Sequence, residues 1–383
     1  MALHFTIEEF RKRKSDTLKS MKEKNLDALL IFRQESMYWL TGYDTFGYVF
    51  FQTLILDQKG NTILLTRAPD LRQAQNTSNI KDIRIWVDKD GSNPTDDLKI
   101  ILDELNLKRK KIGIEYEAYG MTGRNALKLN KSLENYCNVE DHSELITKHR
   151  VIKSKEEIVY VKKAAELADK ALDEAWKYTK SGASESKILA EMQKIIFEGG
   201  GDYPANEFII GSGHNALLCR YQAEKRNLSD TDQLSIEWAG TFKHYHSAMF
   251  RTILVGKVNP KQIKMHEACV DALSNCEKNL IPGNTAGDVF DSHANTFDKL
   301  GFKKSRMNAC GYSLGSTFSP NWMDWPMLYA GNPYIIQPGN IFFMHMILMD
   351  SDNKLAMNLG ETYLVTKNGN ERLGKKKIDL VVL

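Results

Sequence analysis

A capping box at Ser154 separates two halves of different character. Glu157 follows Ser154 by three residues, an arrangement in which each side chain satisfies a free backbone N–H at a helix start. Apolar residues then recur at helical spacing until Gly182. The sequence therefore predicts a long amphipathic helix that opens a second domain, with domains at 1–149 and 150–383.

The first half alternates strand-like and helical segments. Apolar runs bounded by turns predict strands, and segments of helical periodicity lie between them. The strands are predicted within 27–57 and at 61–66, and the helices at 7–24, 95–105 and 120–134. This alternation indicates an α/β domain.

The second half separates helices from strands. Helices are predicted at 186–198, 261–279 and 286–300, and strands at 231–238, 246–255, 340–349 and 361–366. This segregation predicts an α+β domain, and the whole chain is assigned to the α+β class.

Composition excludes several classes of protein. Of 383 residues, 52 are Lys or Arg and 49 are Asp or Glu; the near balance, without a basic stripe, argues against nucleic-acid binding. No apolar run approaches the roughly 18 residues of a membrane span. Five scattered cysteines form no CxxC pair and indicate neither a disulfide framework nor a zinc site. Residues 1–6 lack the pattern of an export signal, so we expect a cytoplasmic protein.

Four motifs in the second half occur in an informative order. They are Arg150-Val151-Ile152-Lys153-Ser154-Lys155-Glu156-Glu157-Ile158, Glu237-Trp238-Ala239-Gly240 with Tyr245 and Arg251-Thr252, Gly311-Tyr312-Ser313-Leu314-Gly315, and Gly360-Glu361-Thr362-Tyr363-Leu364-Val365-Thr366. Together they resemble the pita-bread family, which includes methionine aminopeptidase, prolidase, Xaa-Pro aminopeptidase, creatinase and ectoine hydrolase. The Tyr38-Trp39-Leu40-Thr41-Gly42 segment is similar to the creatinase N-terminal domain. The resemblance implies a two-domain creatinase-type fold with a C-terminal pita-bread domain.

The resemblance also implies an altered metal centre. Peptidases of this family bind two metal ions through Asp, Asp, His, Glu and Glu. The matching positions here are Glu237, Ala248, Tyr312, His345 and Glu361. A two-metal site needs bridging carboxylates, which are lost at two of these positions. We therefore expect no metal and no other cofactor, although a single ion on Glu237, His345 and Glu361 is an alternative.

The resemblance assigns the catalytic residues. Glu237 would be the nucleophile or general base, Glu361 and His345 would orient or protonate, and Tyr312 would donate to the leaving nitrogen. Strand alternation places Glu237 on the face opposite Leu234, Ile236 and Trp238. The same alternation places His246 on the side of Ala248, so His246 is either a catalytic or a structural histidine.

Four further residues are candidates for substrate binding. Arg220 either binds a substrate carboxylate or forms a surface ion pair. Trp322 and Trp325 either face a cationic group or pack in a core or dimer contact. His244 is the weakest of the four, because it is expected at the end of a turn.

The favoured function is metal-independent hydrolysis of a C–N bond. The resemblance to the metal-free ectoine hydrolase and creatinase branch implies a small zwitterionic substrate, and relatives with this N-terminal domain imply a homodimer. The alternatives are a lyase acting on dimethylsulfoniopropionate, a non-catalytic ligand-binding pseudopeptidase, and an Xaa-Pro aminopeptidase or prolidase.

Overall fold

The chain divides into two units, Met1–Arg150 and Val151–Leu383. The structure is a computed structural model that describes residues 3–223 and 225–383. Met1 and Ala2, which begin the segment inspected for an export signal, lie outside the described residues. The predicted boundary at 149/150 differs from this division by one residue.

The first unit is built on a six-stranded mixed sheet. Its helices are α1 (Ile7–Glu23), α2 (Gln34–Thr41), α3 (Leu71–Thr77), α4 (Pro94–Glu104), α5 (Gly123–Leu133) and α6 (Glu144–Arg150). Its strands are β1 (Ala28–Ile31), β2 (Thr53–Asp57), β3 (Thr62–Arg67), β4 (Asp82–Trp86), β5 (Lys111–Ile114) and β6 (Asn138–Asp141), in the order β4-β3-β2-β1-β5-β6. The helices predicted at 7–24, 95–105 and 120–134 correspond to α1, α4 and α5.

Helix α2 is a correction to the sequence analysis. Part of the region 27–57 that predicted only strands and turns is helical, and α2 contains Tyr38 and Trp39. Every residue of α2 is buried, so the segment shows no polar face by which periodicity could distinguish a short helix from a strand. The helix ends at Gly42, whose φ of 82° is the left-handed conformation that glycine adopts without steric cost.

The second unit is built on a nine-stranded sheet. Its helices are α7 (Lys155–Tyr178), α8 (Glu185–Glu198), α9 (Pro260–Asn279) and α10 (Ala286–Lys299). Its strands are β7 (Ile209–Ser212), β8 (Asp232–Phe242), β9 (Tyr245–Val255), β10 (Ala309–Ser313), β11 (Asp324–Tyr329), β12 (Ile341–Asp350), β13 (Leu355–Thr366), β14 (Gly369–Arg372) and β15 (Val381–Val382). The main order is β11-β10-β12-β13-β9-β8-β7, with β14 beside β13 and β15 beside β9.

The capping box predicted at Ser154 is confirmed. The Ser154 hydroxyl accepts from the Glu157 backbone N–H, and the Glu157 carboxylate accepts from the Ser154 backbone N–H. Helix α7 then ends at Tyr178, before the predicted stop at Gly182.

Helices α7, α9 and α10 cover one side of this sheet, which we call the helix face. The Trp238 indole on β8 donates to the Ala168 carbonyl of α7 at 3.0 Å. Residues of α9 and α10 form a continuous core with Met344 of β12 and Tyr363 of β13. Side chains of opposite parity on these strands therefore point to the other side, which we call the site face.

Two further features concern the described residues as a whole. The five cysteines are free, and three of them, Cys269, Cys276 and Cys310, are buried. Within residues 3–223 and 225–383, no helix combines the length and the apolar character needed to cross a bilayer.

Candidate active site

Strand register assembles the site face from four neighbouring strands. Directly opposite residues in an antiparallel pair point to the same side of a sheet. Glu237 of β8 pairs with Phe250 of β9, and Phe250 pairs with Gly360 of β13. Gly360 in turn pairs with His345 of β12. These four positions therefore share one face.

Strand β10 adds a phenol to this face. Tyr312 pairs with Phe343 of β12, which has the same parity as His345. The Tyr312 hydroxyl donates to Glu237 Oε1 at 3.1 Å. The Tyr312 and His345 rings lie 5.7 Å apart between centroids. Glu237, Tyr312 and His345, predicted from separate motifs, thus come together.

Glu237 is a carboxyl group suited to acid or base chemistry. It is partly buried, and the loss of solvation raises its pKa from 4.5 to about 7. The hydrogen bond from Tyr312 and the charge of Arg220 oppose this rise by stabilising the carboxylate. Because its pKa is close to neutral, Glu237 is available in both protonation states near physiological pH.

Tyr312 is buried and acts as a neutral hydroxyl donor. Burial raises the pKa of the phenol, and the nearby Glu237 carboxylate raises it further. Its oxygen accepts a hydrogen bond from the Trp322 indole at 2.9 Å. Tyr312 can therefore stabilise a negative charge on Glu237 without ionising itself.

His345 is a neutral imidazole. Burial lowers its pKa to about 4, and its ring lies 5.5 Å from the Phe343 ring between centroids. A neutral imidazole can accept a proton or orient a ligand, but it is a poor proton donor at neutral pH. Of the two roles predicted for His345, protonation of the leaving group is disfavoured by this lowered pKa, and orientation of the substrate stays a prediction.

Hydrocarbon occupies the space between these polar groups. A Cβ atom added to Gly360 would lie 2.7 Å from ring atoms of Phe343 and 2.9 Å from Cβ of Phe250. The two aromatic side chains therefore pack where a side chain from position 360 would otherwise project. Ala248, two residues before Phe250 on the same face, provides only a methyl group.

Glu361 is not part of this site, contrary to the sequence analysis. It pairs with Met344, which belongs to the core on the helix face, and it is fully buried. Its Oε1 accepts from the Arg251 guanidinium, which also donates to the Phe250 and Gly360 carbonyls at 2.9 and 2.8 Å. Successive strand residues alternate between faces, so Glu361, which follows Gly360, points to the helix face. The carboxylate that was expected beside Glu237 is therefore the ion-pair partner of Arg251.

His246 lies on the site face but is bound within the protein. Its Nε2 accepts from the Ala205 backbone N–H at 2.9 Å, and its Nδ1 lies 3.2 Å from the Thr317 hydroxyl. Burial lowers its pKa to about 3. These contacts favour the structural alternative for His246, which was also predicted as a catalytic residue.

His244 and Trp325 have other neighbours. The His244 ring stacks on Phe318 at 4.2 Å between centroids, and its backbone N–H donates to Asp202. The Trp325 ring packs edge-on against Tyr334 at 5.1 Å. Neither contact is with Glu237 or Tyr312, so their substrate-binding roles remain predictions.

Arg220 is exposed and acts on the site through its charge. It lowers the pKa of both Glu237 and Tyr312 against the larger effect of burial. Cys219 is also near, because the Glu237 charge contributes to raising the pKa of that thiol. A guanidinium beside the carboxyl group is suited to attracting an anionic group of a substrate.

The side chains present do not fit a two-metal centre. The site face offers Glu237 and His345, but Ala248 and Gly360 have no ligand atoms, and the Tyr312 oxygen is already hydrogen-bonded. Over the described parts of the chain, no three His, Cys, Asp or Glu side chains form a group that could hold a metal ion.

Sequence reasoning missed three features of this site. Phe250 and Phe343 were not identified as residues that fill the site face, and Trp322 was not identified as a hydrogen-bond donor to Tyr312. The alternation rule could have identified the phenylalanines, because Phe250 follows Ala248 by two residues and Phe343 precedes His345 by two.

Comparison with known proteins identifies both halves of the chain. Residues 160–367 match the model of metallopeptidase family M24, and residues 13–152 match the creatinase/prolidase N-terminal domain. Ectoine hydrolase of Halomonas elongata is 26% identical over 390 residues, covering 97% of each chain. Xaa-Pro dipeptidase of Pyrococcus horikoshii is 25% identical over 365 residues, covering 94% of this chain and 96% of the relative.

Solved structures show the same fold. Recombinant prolidase from Thermococcus sibiricus superposes with a TM-score of 0.87 at 21% identity, covering 99% of this chain and all of that one. The predicted two-domain creatinase-type α+β fold is thereby confirmed. The family match covers more than half of the sequence, so the chain belongs to metallopeptidase family M24, a family of hydrolases, and has a creatinase/prolidase N-terminal domain.

Proposed function

We propose that this protein is a hydrolase that opens a C–N bond in a small zwitterionic metabolite of the ectoine or creatine type, without a bound metal ion. The observation that carries the proposal is the composition of the site face. Glu237 and Tyr312 form a hydrogen-bonded acid–phenol pair, whereas Phe250, Phe343, Ala248 and Gly360 provide no metal ligand. Hydrolysis in such a site must use the carboxyl group itself.

The chemistry assigned to this pair is nucleophilic or general-base catalysis. As a carboxylate, Glu237 attacks the carbon bound to the leaving nitrogen, or it removes a proton from a water that attacks this carbon. The C–N bond breaks, oxygen from water ends on the carbon, and the nitrogen takes a proton. The Tyr312 hydroxyl stabilises the carboxylate form of Glu237 by donating to Oε1.

Charge supports a zwitterionic substrate. Arg220 supplies a positive charge near Glu237 for a substrate carboxylate, and the Glu237 carboxylate attracts a cationic or amidinium group. The aromatic ring of Phe343 and the neutral ring of His345 lie against the Tyr312 ring of the Glu237–Tyr312 pair, at 5.5 and 5.7 Å between centroids, and reduce its contact with water. A compact compound with both charges is therefore favoured over an extended peptide.

The relatives alone do not decide the substrate. The ectoine hydrolase and the Xaa-Pro dipeptidase are similar to this chain at nearly the same level, 26% and 25% identity. The preference for the metal-free reaction comes from the side chains of the site.

A substrate comparison tests the proposal. Purified protein is incubated with ectoine, creatine, dimethylsulfoniopropionate or the dipeptide Ala-Pro, with either EDTA or Mn²⁺, and the products are followed by mass spectrometry. We expect ectoine or creatine to be converted into products whose summed mass equals substrate plus one water, equally in EDTA and in Mn²⁺. The Glu237→Gln variant is the control and should lose this conversion.

Other outcomes would contradict the proposal. Cleavage of Ala-Pro that depends on Mn²⁺ would show a prolidase, and elimination of dimethylsulfoniopropionate would show a lyase. Binding of ectoine by calorimetry without turnover would show a pseudopeptidase. Elemental analysis should find well under one equivalent of zinc, manganese, iron or cobalt, and stoichiometric metal lost together with activity on chelation would overturn the metal-free assignment.

A further inference from the structure

The indole of Trp322 is oriented toward Tyr312 and away from solvent. Trp322 is only 2% exposed, which favours packing in the core over contact with a substrate cation, the two alternatives predicted for it. Its Nε1–H donates to the Tyr312 oxygen at 2.9 Å. An indole N–H is a donor only, so in this contact the phenol oxygen must be the acceptor.

This contact fixes the direction of the next hydrogen bond. Tyr312 has one hydroxyl proton, and with its oxygen accepting from Trp322 the proton is directed to Glu237 Oε1, 3.1 Å away. Oε1 is therefore an acceptor in both protonation states of Glu237. When the carboxyl group is protonated, its own proton is on Oε2, and Oε2 is the oxygen left for a substrate or a water.

The surroundings of Trp322 hold the indole in place. The Thr317 hydroxyl lies 3.5 Å from the Trp322 carbonyl and 3.2 Å from His246 Nδ1. The His246 ring is tilted against the indole at 6.4 Å between centroids. His246 is itself fixed by the Ala205 backbone N–H. A buried neutral histidine thus helps to support the donor that orients Tyr312.

We propose that Trp322 is a positioning residue that directs the Tyr312 hydroxyl proton to Glu237 Oε1 and thereby makes Oε2 the reactive oxygen. The use of Oε2 in hydrolysis rests on the proposed function, whereas the hydrogen-bond direction does not. Donation from Trp322 also polarises the Tyr312 hydroxyl and makes it a stronger donor to the carboxylate.

Two spectroscopic measurements test this inference without any substrate. In the first, indole ¹H–¹⁵N spectra are recorded for wild type and variants, and the Trp322 signal is assigned by its absence in Trp322→Phe. We expect this signal to move upfield by about 0.5 ppm or more in Tyr312→Phe, because the hydrogen bond that the indole N–H donates is lost. The matched control is Tyr334→Phe, which changes the ring partner of Trp325 and should leave the Trp322 signal in place.

In the second measurement, the Glu237 carboxyl carbon is followed by ¹³C NMR as the pH is varied, with its signal assigned by its loss in Glu237→Gln. Trp322→Phe should raise the midpoint by about 0.5 pH unit, since the carboxylate loses part of its stabilisation, and Tyr312→Phe should raise it by about one. Trp325→Phe, the same substitution three residues away, should leave the midpoint at the wild-type value.

The outcomes separate this inference from the proposed function. A Trp322 signal that does not respond to Tyr312→Phe would overturn it, as would equal midpoints in wild type and Trp322→Phe. If Trp322→Phe does not fold, Tyr312→Phe still provides the first test, because one of the six indole signals should move upfield while the other five stay in place; a spectrum in which none moves would overturn the inference. Because neither readout involves turnover, an inactive protein can still show the hydrogen-bond chain, and an active hydrolase can lack it.

Discussion

Replacing Glu237 with glutamine should stabilise the protein in a pH-dependent manner. The pKa of this carboxyl group is raised from 4.5 to about 7 in the folded state because burial leaves the ionised carboxylate poorly solvated. Below pH 4.5 the group is protonated in the folded and the unfolded state, and the full stability of the protein is present. As the pH rises through about 7, the unfolded state ionises more easily than the folded state, and this stability is lost. A change from 4.5 to about 7 corresponds to about 3 kcal/mol of folding free energy. Glutamine avoids this cost and can still accept from Tyr312.

The expected difference between variant and wild type is below about 1 kcal/mol at pH 5 and about 3 kcal/mol at pH 8. For a unit of this size, about 3 kcal/mol raises Tm by roughly 6–12 °C. Thermal unfolding of the second unit, followed by calorimetry at both pH values, measures the difference. A Glu237→Gln protein that is no more stable than wild type at pH 8, or equally stabilised at both pH values, would show that Glu237 is not a desolvated acid.

Four further predictions follow from the contacts of the second unit and from the homodimer that the family resemblance implies. Glu361→Gln should destabilise the protein by about 3 kcal/mol at neutral pH, measured by urea unfolding, because it leaves the buried Arg251 without its counter-charge; an unchanged midpoint would contradict the structural role. Once a substrate is identified, kcat/KM should rise about tenfold per pH unit below about pH 7 and then level off. The rise follows the formation of the Glu237 carboxylate, whose titratable or charged neighbours are Arg220, Tyr312 and Cys219. Glu237→Gln should lower kcat by roughly 10²–10⁴, and a rate near that of wild type would show that the wrong carboxylate was assigned. Light scattering should give about twice the monomer mass of 43.7 kDa, whereas a value at the monomer mass would refute the predicted homodimer.

The sequence by itself determined the features that depend on local pattern. The capping box at Ser154 required only two residues on one helical turn, and it marked the start of α7 to the residue. Strand alternation correctly directed Leu234, Ile236 and Trp238 into the core and Glu237 away from it. The order of four motifs predicted the fold that the family matches and the solved structures confirm.

Helix α2 shows where local pattern was insufficient. Its eight residues are buried on all sides, so the segment offers neither the polar face of a surface helix nor the alternation of a half-exposed strand. Only packing against the rest of the first unit decides between the two. Its end was still visible in the sequence, because Gly42 adopts the positive φ that terminates a helix.

The tertiary structure decided which carboxylate belongs to the site. Resemblance to a motif assigned Glu361 to the site, but a shift of one residue along a strand moves a side chain to the opposite face. Glu361 has the parity of Tyr363 and lies with it on the helix face, where Arg251 from a neighbouring strand compensates its charge. That pairing joins residues far apart in sequence.

The hydrogen-bond chain from Trp322 through Tyr312 to Glu237 has the same origin. The residues belong to the segment before β11, to β10 and to β8, and the direction of the chain depends on which atoms lie within about 3 Å of each other. The sequence supplied an acid, a phenol and an indole. Only the strand register, with Phe250 and Phe343 packed beside Gly360, determined that the acid and the phenol share a face that lacks the ligands of a two-metal centre. The indole then fixes the direction of the hydrogen bond between them.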